Sequence, residues 1–378
     1  MNLIAVHTGA GYHSEANKEA YFQVCRAACQ AGLESFSSNC SPLDAVVAAI
    51  AVLEDSPLTN AGTGSNLSVD GTVECDASLM LGSSTRWAGV GCLSGIKNPI
   101  KVAKGIFDLQ GEQQPCGLVP PSLMVGSGAK KFALDRNLSK EANLVTEKSL
   151  QSLRRYTERV EQTMNKKSKS MIEVNQDSVN GFQADSCDDH TNLRKDTVGA
   201  IAISCDGITA AGLSSGGLLL KTPGRVGQAA SYGAGCWAQE GVTLTTSGVG
   251  EYLVKSLLAS RLACDLERAA QSEDTILVDS LNQSLNNNFS KSCSLLKEFD
   301  PKDLVAGVLG AVVNPDTSNV EVFCSHSSAS MIFAFQSSEM SAPETHLSRL
   351  PADCDHFFRT NVFMLSPQPS EQDGQDLP

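Results

Sequence analysis

Charge and aromatic side chains are scarce in this 378-residue chain, at 19% and 5%, with only two Trp and five Tyr. Low charge beside 41% hydrophobic residues excludes a solvated, core-less polymer and describes a folded domain. Positive charge is scarcer still. Lys and Arg number 29 against 42 Asp and Glu, a formal net charge of -13, which excludes non-specific nucleic-acid binding by the whole surface but not a local basic patch. No apolar run approaches the ~20 residues that cross a bilayer. The opening M-N-L-I-A-V-H-T-G-A-G lacks the basic flank and long apolar core of a secretory signal. The thirteen cysteines are odd in number and form no C-x-x-C pair. They are expected to be reduced thiols in an intracellular protein. No metal, nucleotide or haem motif is present, and neither direct nucleic-acid nor membrane partners are expected.

Residues 3–7 read as a buried strand. Helices are expected over 15–36, over 42–54 with Ser41 as N-cap and Pro42 at the first position, over 99–109 and around Lys130. Asp-Gly pairs inside V-D-G-T-V and C-D-G-I-T predict hairpins. Residues 146–169 are helical and basic, and 171–195 turn polar and core-poor, a linker expected to be disordered. Beyond it, 198–204 is apolar on both faces and needs cover on both sides, with 208–213 as its hairpin partner. Helices over 250–266 and 274–288 and strands over 305–313, 320–324 and 330–335 follow, before an acidic tail after Ser366. Strands grouped between helices predict an α/β protein built as a four-layer α-β-β-α sandwich.

The junction of linker and strand is the bond Asp196-Thr197. Scission there would free Thr197 as an N-terminus, with a hydroxyl nucleophile and an α-amine on one residue. An α-amine titrates at about 8, near working pH, and suits proton shuttling. Attack of the Thr197 hydroxyl on the Asp196 carbonyl would form an ester, which water then opens to release the amine. The chain would divide into 1–196 and 197–378, two subunits of one domain. Three further segments support this chemistry. S-S-G-G at 214–217 returns Ser215 toward the start of the first strand, to orient the Thr197 amine. K-T-P-G-R-V-G-Q sets Arg225 among glycines, fit for a bidentate grip on a carboxylate. T-T-S-G-V-G-E lets Ser247 and Gly248 face a developing oxyanion. Taken singly, these are a β-branched strand residue, a Ser-Gly turn, a solvated loop cation and a helix N-cap.

Seven motifs occur in order: H-T-G-A-G, E-D-S-P-L-T-N-A-G-T-G-S-N, E-C-D-A-S, D-T-V-G-A, S-S-G-G, G-R-V-G-Q and T-S-G-V-G-E. Together they resemble the type-2 asparaginase group of N-terminal-nucleophile hydrolases over roughly residues 3–335. The resemblance implies autoproteolysis into α and β subunits and an αββα assembly of two processed chains. It places Asn60 beside the nucleophile and implies a sodium ion on backbone carbonyls of residues 53–63. In that group Gly usually precedes the nucleophile and an Asp follows the substrate-binding Arg by three; here stand Asp196 and Gln228. A neutral Gln228 compensates a free α-ammonium poorly at a desolvated site. The pattern therefore looks like the threonine-aspartase (taspase) branch: an endopeptidase in which Arg225 holds an internal Asp side chain while Thr197 attacks its main-chain carbonyl. The alternatives are an L-asparaginase or isoaspartyl aminopeptidase acting on small substrates, and a non-catalytic single-chain binding protein.

Arg154-Arg155, followed after ten residues by Lys166, Lys167 and Lys169, has the shape of a bipartite nuclear-import signal, or of a charged solvated helix face. The resemblance points to nuclear regulatory proteins as substrates and to a nuclear and cytoplasmic location. Q-A-D-S-C-D-D in the linker offers a second cleavage point after Asp185, although Ala184 and Ser186 depart from the substrate pattern of that branch and a chance acidic linker explains it as well.

Overall fold

The computed structural model describes residues 1–39, 41–173, 197–270, 276–290, 293–300, 303–351 and 358–367. Residues 174–196, with most of the linker, Asp185 and Asp196, lie outside the described residues, as do the side chains of residues 166–169, whereas 171–173, expected to open the linker, continue the basic helix.

Two sheets and their helices form a mixed α/β fold. The first sheet has eight strands: β1 (Leu3–Gly11), β2 (Cys75–Leu81), β3 (Arg86–Leu93), β4 (Leu123–Val125), β5 (Val198–Ile203), β6 (Thr209–Ser215), β11 (Ser330–Ser337) and β12 (Glu344–Arg349). Their order is β12-β11-β1-β5-β6-β2-β3-β4. The second sheet runs β13-β10-β9-β8-β7, from β7 (Cys236–Gln239), β8 (Val242–Gly248), β9 (Ala306–Val313), β10 (Val320–His326) and β13 (Arg359–Leu365). The helices are α1 (Lys18–Asn39), α2 (Pro42–Asp55), α3 (Pro99–Leu109), α4 (Gly126–Asp135), α5 (Glu147–Glu173), α6 (Gly250–Ser256), α7 (Leu258–Ala270) and α8 (Leu277–Asn288).

The two-residue period of a strand sorts the core into layers. On β1 and β5, Ile4, Val6, Val198, Ala200 and Ala202 share a cluster with Val46 and Ile50 of α2 and with α1 and α3. The intervening Leu3, Ala5, Ile201 and Ile203 join Leu309, Ala311, Val322 and Cys324 of the second sheet. A third cluster unites α7 and α8 with Leu244, Val308 and Phe323. Every residue of β5 is buried, as its two apolar faces demand.

Local signals explain several boundaries. Ser41 Oγ accepts the Asp44 N–H and Pro42 opens α2. In C-D-G-I-T, Gly207 takes φ 77° and closes the β5–β6 hairpin. The V-D-G-T-V turn also forms, with Gly71 N–H bonded to the Ser68 carbonyl. Its flanks do not become sheet strands, however; Ser68 makes only an isolated bridge to Lys221. The helix expected over 250–266 is broken at Leu257, which takes a left-handed conformation (φ 49°) and separates α6 from α7. Ser247 is not its N-cap: Ser247 lies within β8, which ends at Gly248, and Val249 holds the cap position. The strands β2, β3, β4, β7, β8, β12 and β13 were not anticipated. Helix α5 rests on Leu150 and Leu153, which join the small cluster of Leu67, Val73, Cys75 and Leu144, while residues 157–165 are exposed. Arg155 lies over the Tyr156 ring. None of the ten described cysteines is in a disulfide, and no helix among the described residues is long and apolar enough to cross a membrane.

Candidate active site

The β5–β6 register pairs Val198 with Ser214, so residue 197 stands opposite Ser215 at the open end of the hairpin. By alternation Thr197 and Ser215 share the face that carries Ile201 and Leu213, toward the second sheet. Both are buried. The Thr197 hydroxyl donates to Ser215 Oγ at 3.2 Å. Ser215 Oγ also accepts the Gly217 N–H at 3.1 Å. In the uncut chain, then, Ser215 meets the hydroxyl of Thr197 rather than its nitrogen.

Gln228, expected from the sequence to border a substrate, is hydrogen-bonded to Thr197 itself. It is buried, and its amide Nε2 donates to Thr197 Oγ1 at 2.7 Å. The Thr197 oxygen thus accepts from Gln228 and donates to Ser215, which fixes its direction. Gly250 marks how closely these parts meet: a Cβ there would lie 2.6 Å from Gln228 Oε1 and 2.7 Å from Arg225 Nη2. A side chain at 250 would displace both groups.

Arg225 makes a bidentate pair, but with a protein carboxylate. Nε and Nη2 donate to Glu251 Oε1 and Oε2 at 2.8 and 2.7 Å. Burial pushes the Glu251 carboxyl up, but the hydrogen bonds and charge of Arg225 outweigh it and hold the group below the usual carboxylate range.

The Arg225 loop is held from beneath by the E-C-D-A-S segment. Asp76, which pairs in register with Ser215, accepts the Gly227 N–H on Oδ2 at 2.8 Å and the Cys92 N–H on Oδ1 at 2.9 Å. Glu74 accepts the Gly224 N–H at 2.9 Å, and its carbonyl accepts from buried Lys221 at 2.6 Å. Burial raises the Asp76 pKa, against the opposing pull of Lys221, the two N–H donors and Arg225. Asp76→Asn would turn an amide NH2 toward one of those donors and strand it. A buried unsatisfied group costs about 1–3 kcal/mol. The expected outcome is an unfolding free energy lowered by that amount and a KM raised about tenfold as the loop loosens, read by denaturant unfolding and steady-state kinetics.

Asn60 stands on the other side of Gly217. Its Oδ1 accepts the Asn66 N–H, its Nδ2 donates to the Gly217 carbonyl at 2.9 Å, and its own carbonyl accepts the Gly216 N–H at 2.7 Å. It braces the turn that follows Ser215. Asn66 Nδ2 adds a second donor to the Gly217 carbonyl. Behind it, buried Glu54 accepts the Ile100 N–H at the start of α3, and burial pushes its carboxyl up to about 8.

Ser247 and Gly248 sit on β8, and neither hydrogen-bonds Thr197. Ser247 Oγ accepts the Ala10 N–H at 2.9 Å, and His7 Nε2 meets Thr245 Oγ1 at 3.0 Å. The H-T-G-A-G and T-T-S-G segments are therefore tied together across the two sheets. Burial holds His7 down to about 3, so its imidazole is neutral at working pH. Gly248 takes φ 143°, and a Cβ there would lie 2.2 Å from the Val305 carbonyl. Among the described residues, no group of three or more His, Cys, Asp and Glu side chains is placed to hold a metal ion.

Thr197, Ser215, Gln228, Arg225 and Asn60 are thus brought around Gly216 and Gly217. Glu251, Asp76, Glu74 and Lys221 hold them and were given no role from sequence. Only their placement inside quoted motifs signalled them: Glu74 and Asp76 in E-C-D-A-S, Lys221 in K-T-P-G-R-V-G-Q and Glu251 in T-T-S-G-V-G-E.

The asparaginase family model matches residues 1–293. A plant-type L-asparaginase from Pyrococcus abyssi is 34% identical over 278 residues, covering 72% of this chain and 83% of the relative. An isoaspartyl peptidase from Escherichia coli is 30% identical over 267 residues, covering 69% and 75%. An isoaspartyl peptidase/L-asparaginase from Mus musculus is 32% identical over 266 residues, covering 69% and 71%. With its motif order and a family match over more than half its length, this chain belongs to the asparaginase family of amide hydrolases.

Proposed function

We propose that this chain is a self-cleaving threonine hydrolase that cuts polypeptides after Asp. Thr197 is the nucleophile and Arg225 the reader of the Asp side chain. The observation that carries the substrate class is Gln228. The two side chains that hydrogen-bond Thr197 Oγ1, Gln228 at 2.7 Å and Ser215 at 3.2 Å, are both neutral, so neither compensates a free α-ammonium. A residue whose nitrogen is already acylated asks for no such partner. The names of the relatives support a second reading, hydrolysis of L-asparagine or isoaspartyl peptides, and the family match favours it.

Scission at Asp196 would convert the Thr197 nitrogen from amide to amine. That amine then takes the hydroxyl proton as Thr197 Oγ attacks the Asp main-chain carbonyl, and returns it to the leaving amine. Ser247 and Gly248, at the end of β8, are read as oxyanion donors. Water opens the acyl ester and frees Thr197. A sodium ion in the 53–63 loop would be structural. The carbonyls of Leu53 and Ser56, both within 3.2 Å of the Thr59 hydroxyl, are among the oxygens that would hold it. In the same reading the two sheets and flanking helices are the four layers of an N-terminal-nucleophile hydrolase, residues 1–196 and 197–378 are its subunits, and two processed chains associate. The basic segment of α5 carries nuclear entry, to nuclear regulators with internal Asp.

Ammonia release from L-asparagine, measured beside cleavage of a peptide with internal Asp-Gly, tests the substrate class. The expected result is faster peptide cleavage. Gln228→Asp is expected to raise ammonia release at least about tenfold and to lower peptide cleavage, because a carboxylate there can pair with an ammonium. Faster ammonia release by the unaltered protein would establish the second reading instead.

A further inference from the structure

We propose that Glu251 is the positioning residue for Arg225, holding one edge of its guanidinium so that the other edge is presented to substrate. The inference rests on Arg225 as the reader of the substrate carboxylate. A guanidinium offers two bidentate edges, Nε with Nη2 and Nη1 with Nη2. Glu251 takes the first. The Nη1 nitrogen donates to no residue among those described. It lies instead against glycine: a Cβ on Gly217 or on Gly227 would stand 2.9 Å from it. These positions carry no side chains, so Nη1 meets glycine backbone rather than a side chain that could occupy it.

The direction that Nη1 faces decides between a holder and a plug. Gly217 is two residues past Ser215, and its N–H donates to Ser215 Oγ, the atom that receives the Thr197 proton. Nη1 therefore faces the nucleophile side, and Glu251 grips the opposite edge. A carboxylate competing with substrate would occupy Nη1. Exposure agrees: the Arg225 side chain is 16% exposed and that of Glu251 47%, so the acid approaches from the solvent side while the guanidinium reaches inward. Without Glu251 the long arginine side chain keeps its charge but loses its fixed orientation. The loss falls on substrate capture rather than on the chemical step at Thr197.

The test is steady-state kinetics of the processed enzyme with both an internal-aspartyl peptide and L-asparagine, using Glu251→Ala, Glu251→Gln, Arg225→Ala and the pair Glu251→Ala/Arg225→Ala. Glu251→Ala is expected to raise KM about 10- to 100-fold, with kcat changed less than about threefold. Glu251→Gln, which keeps the shape and one acceptor, is expected to lie between it and the unaltered protein. In the Arg225→Ala background, Glu251→Ala is expected to add nothing further. A KM that falls in Glu251→Ala would make Glu251 a plug, and one that stays unchanged would make it a bystander; either overturns the proposal. If Glu251→Ala fails to fold or self-cleave, the near-isosteric Gln variant decides by the same signs. Arg225→Ala without effect on either substrate would instead remove the underlying reading, whereas a crippling Arg225→Ala beside a silent Glu251→Ala removes this inference alone.

Discussion

Thr197→Ala is expected to leave the chain in one piece and without activity. On a denaturing gel the unaltered protein should run as two fragments and the variant as one. N-terminal sequencing of the smaller fragment should begin at Thr197, and the larger should end at Asp196; an additional end at Asp185 would establish the second linker site. Activity should fall by at least about 10⁴-fold, the scale on which loss of a nucleophile is felt. Thr197→Ser keeps the hydroxyl that donates to Ser215 and accepts from Gln228, so it should still cut itself and turn over. The α-amine base, with a reference pKa of about 8, predicts a rate that rises with pH as the amine loses its proton. An uncut protein hydrolysing aspartyl peptides at full rate would overturn the whole scheme and leave Thr197 an ordinary strand residue.

The next largest effect is expected from Arg225→Ala. Removing one partner of a desolvated charge pair costs about 2–5 kcal/mol, so kcat/KM should fall roughly 30- to 5,000-fold on substrates that carry a side-chain carboxylate. A peptide with Asn in place of Asp distinguishes this from unfolding, since the unaltered protein should discriminate strongly between the two peptides and the variant weakly. Stability should change less, because the Glu251 side chain is left 47% exposed rather than sealed in. A kcat/KM that does not move would mean that Arg225 serves only to pair with Glu251.

How far the sequence foretold this arrangement depends on the range of each signal. Local chemistry was legible. Ser41-Pro42 started α2 and the Asp-Gly of C-D-G-I-T closed the β5–β6 hairpin, and that hairpin alone brings Ser215 to Thr197. The unforeseen strands carry weak patterns. β2 begins with Cys75 and Asp76, the latter a residue that strands disfavour, and β3 contains two glycines. β12 and β13 are edge strands of alternating, partly exposed residues with little apolar contrast. The break at Leu257 was invisible because leucine is a good helix former, and only the packing of α6 and α7 places it in the left-handed region. Non-local partnerships were the least legible. Glu251 reads as an acid in a first helical turn, a common favourable placement, and nothing local tells that Arg225, 26 residues before it, closes on its carboxylate. Gln228 was legible as a departure from a pattern, but its bond to the Thr197 oxygen needed the fold.

The strand order of the larger sheet has a consequence for what a nick before Thr197 would do. β1 lies between β11 and β5, and β6 lies against β2, so strands from before and after that point interleave along three ladders. Severing the backbone would free neither piece, and the product would migrate as an intact particle in any gentle separation. Once denatured, it would face a bimolecular search in which each half lacks the neighbours that cover its strands. Recovery should therefore depend on protein concentration, whereas an uncleavable chain should regain its shape at any dilution. Halves produced separately should be insoluble alone and reconstitute only when mixed.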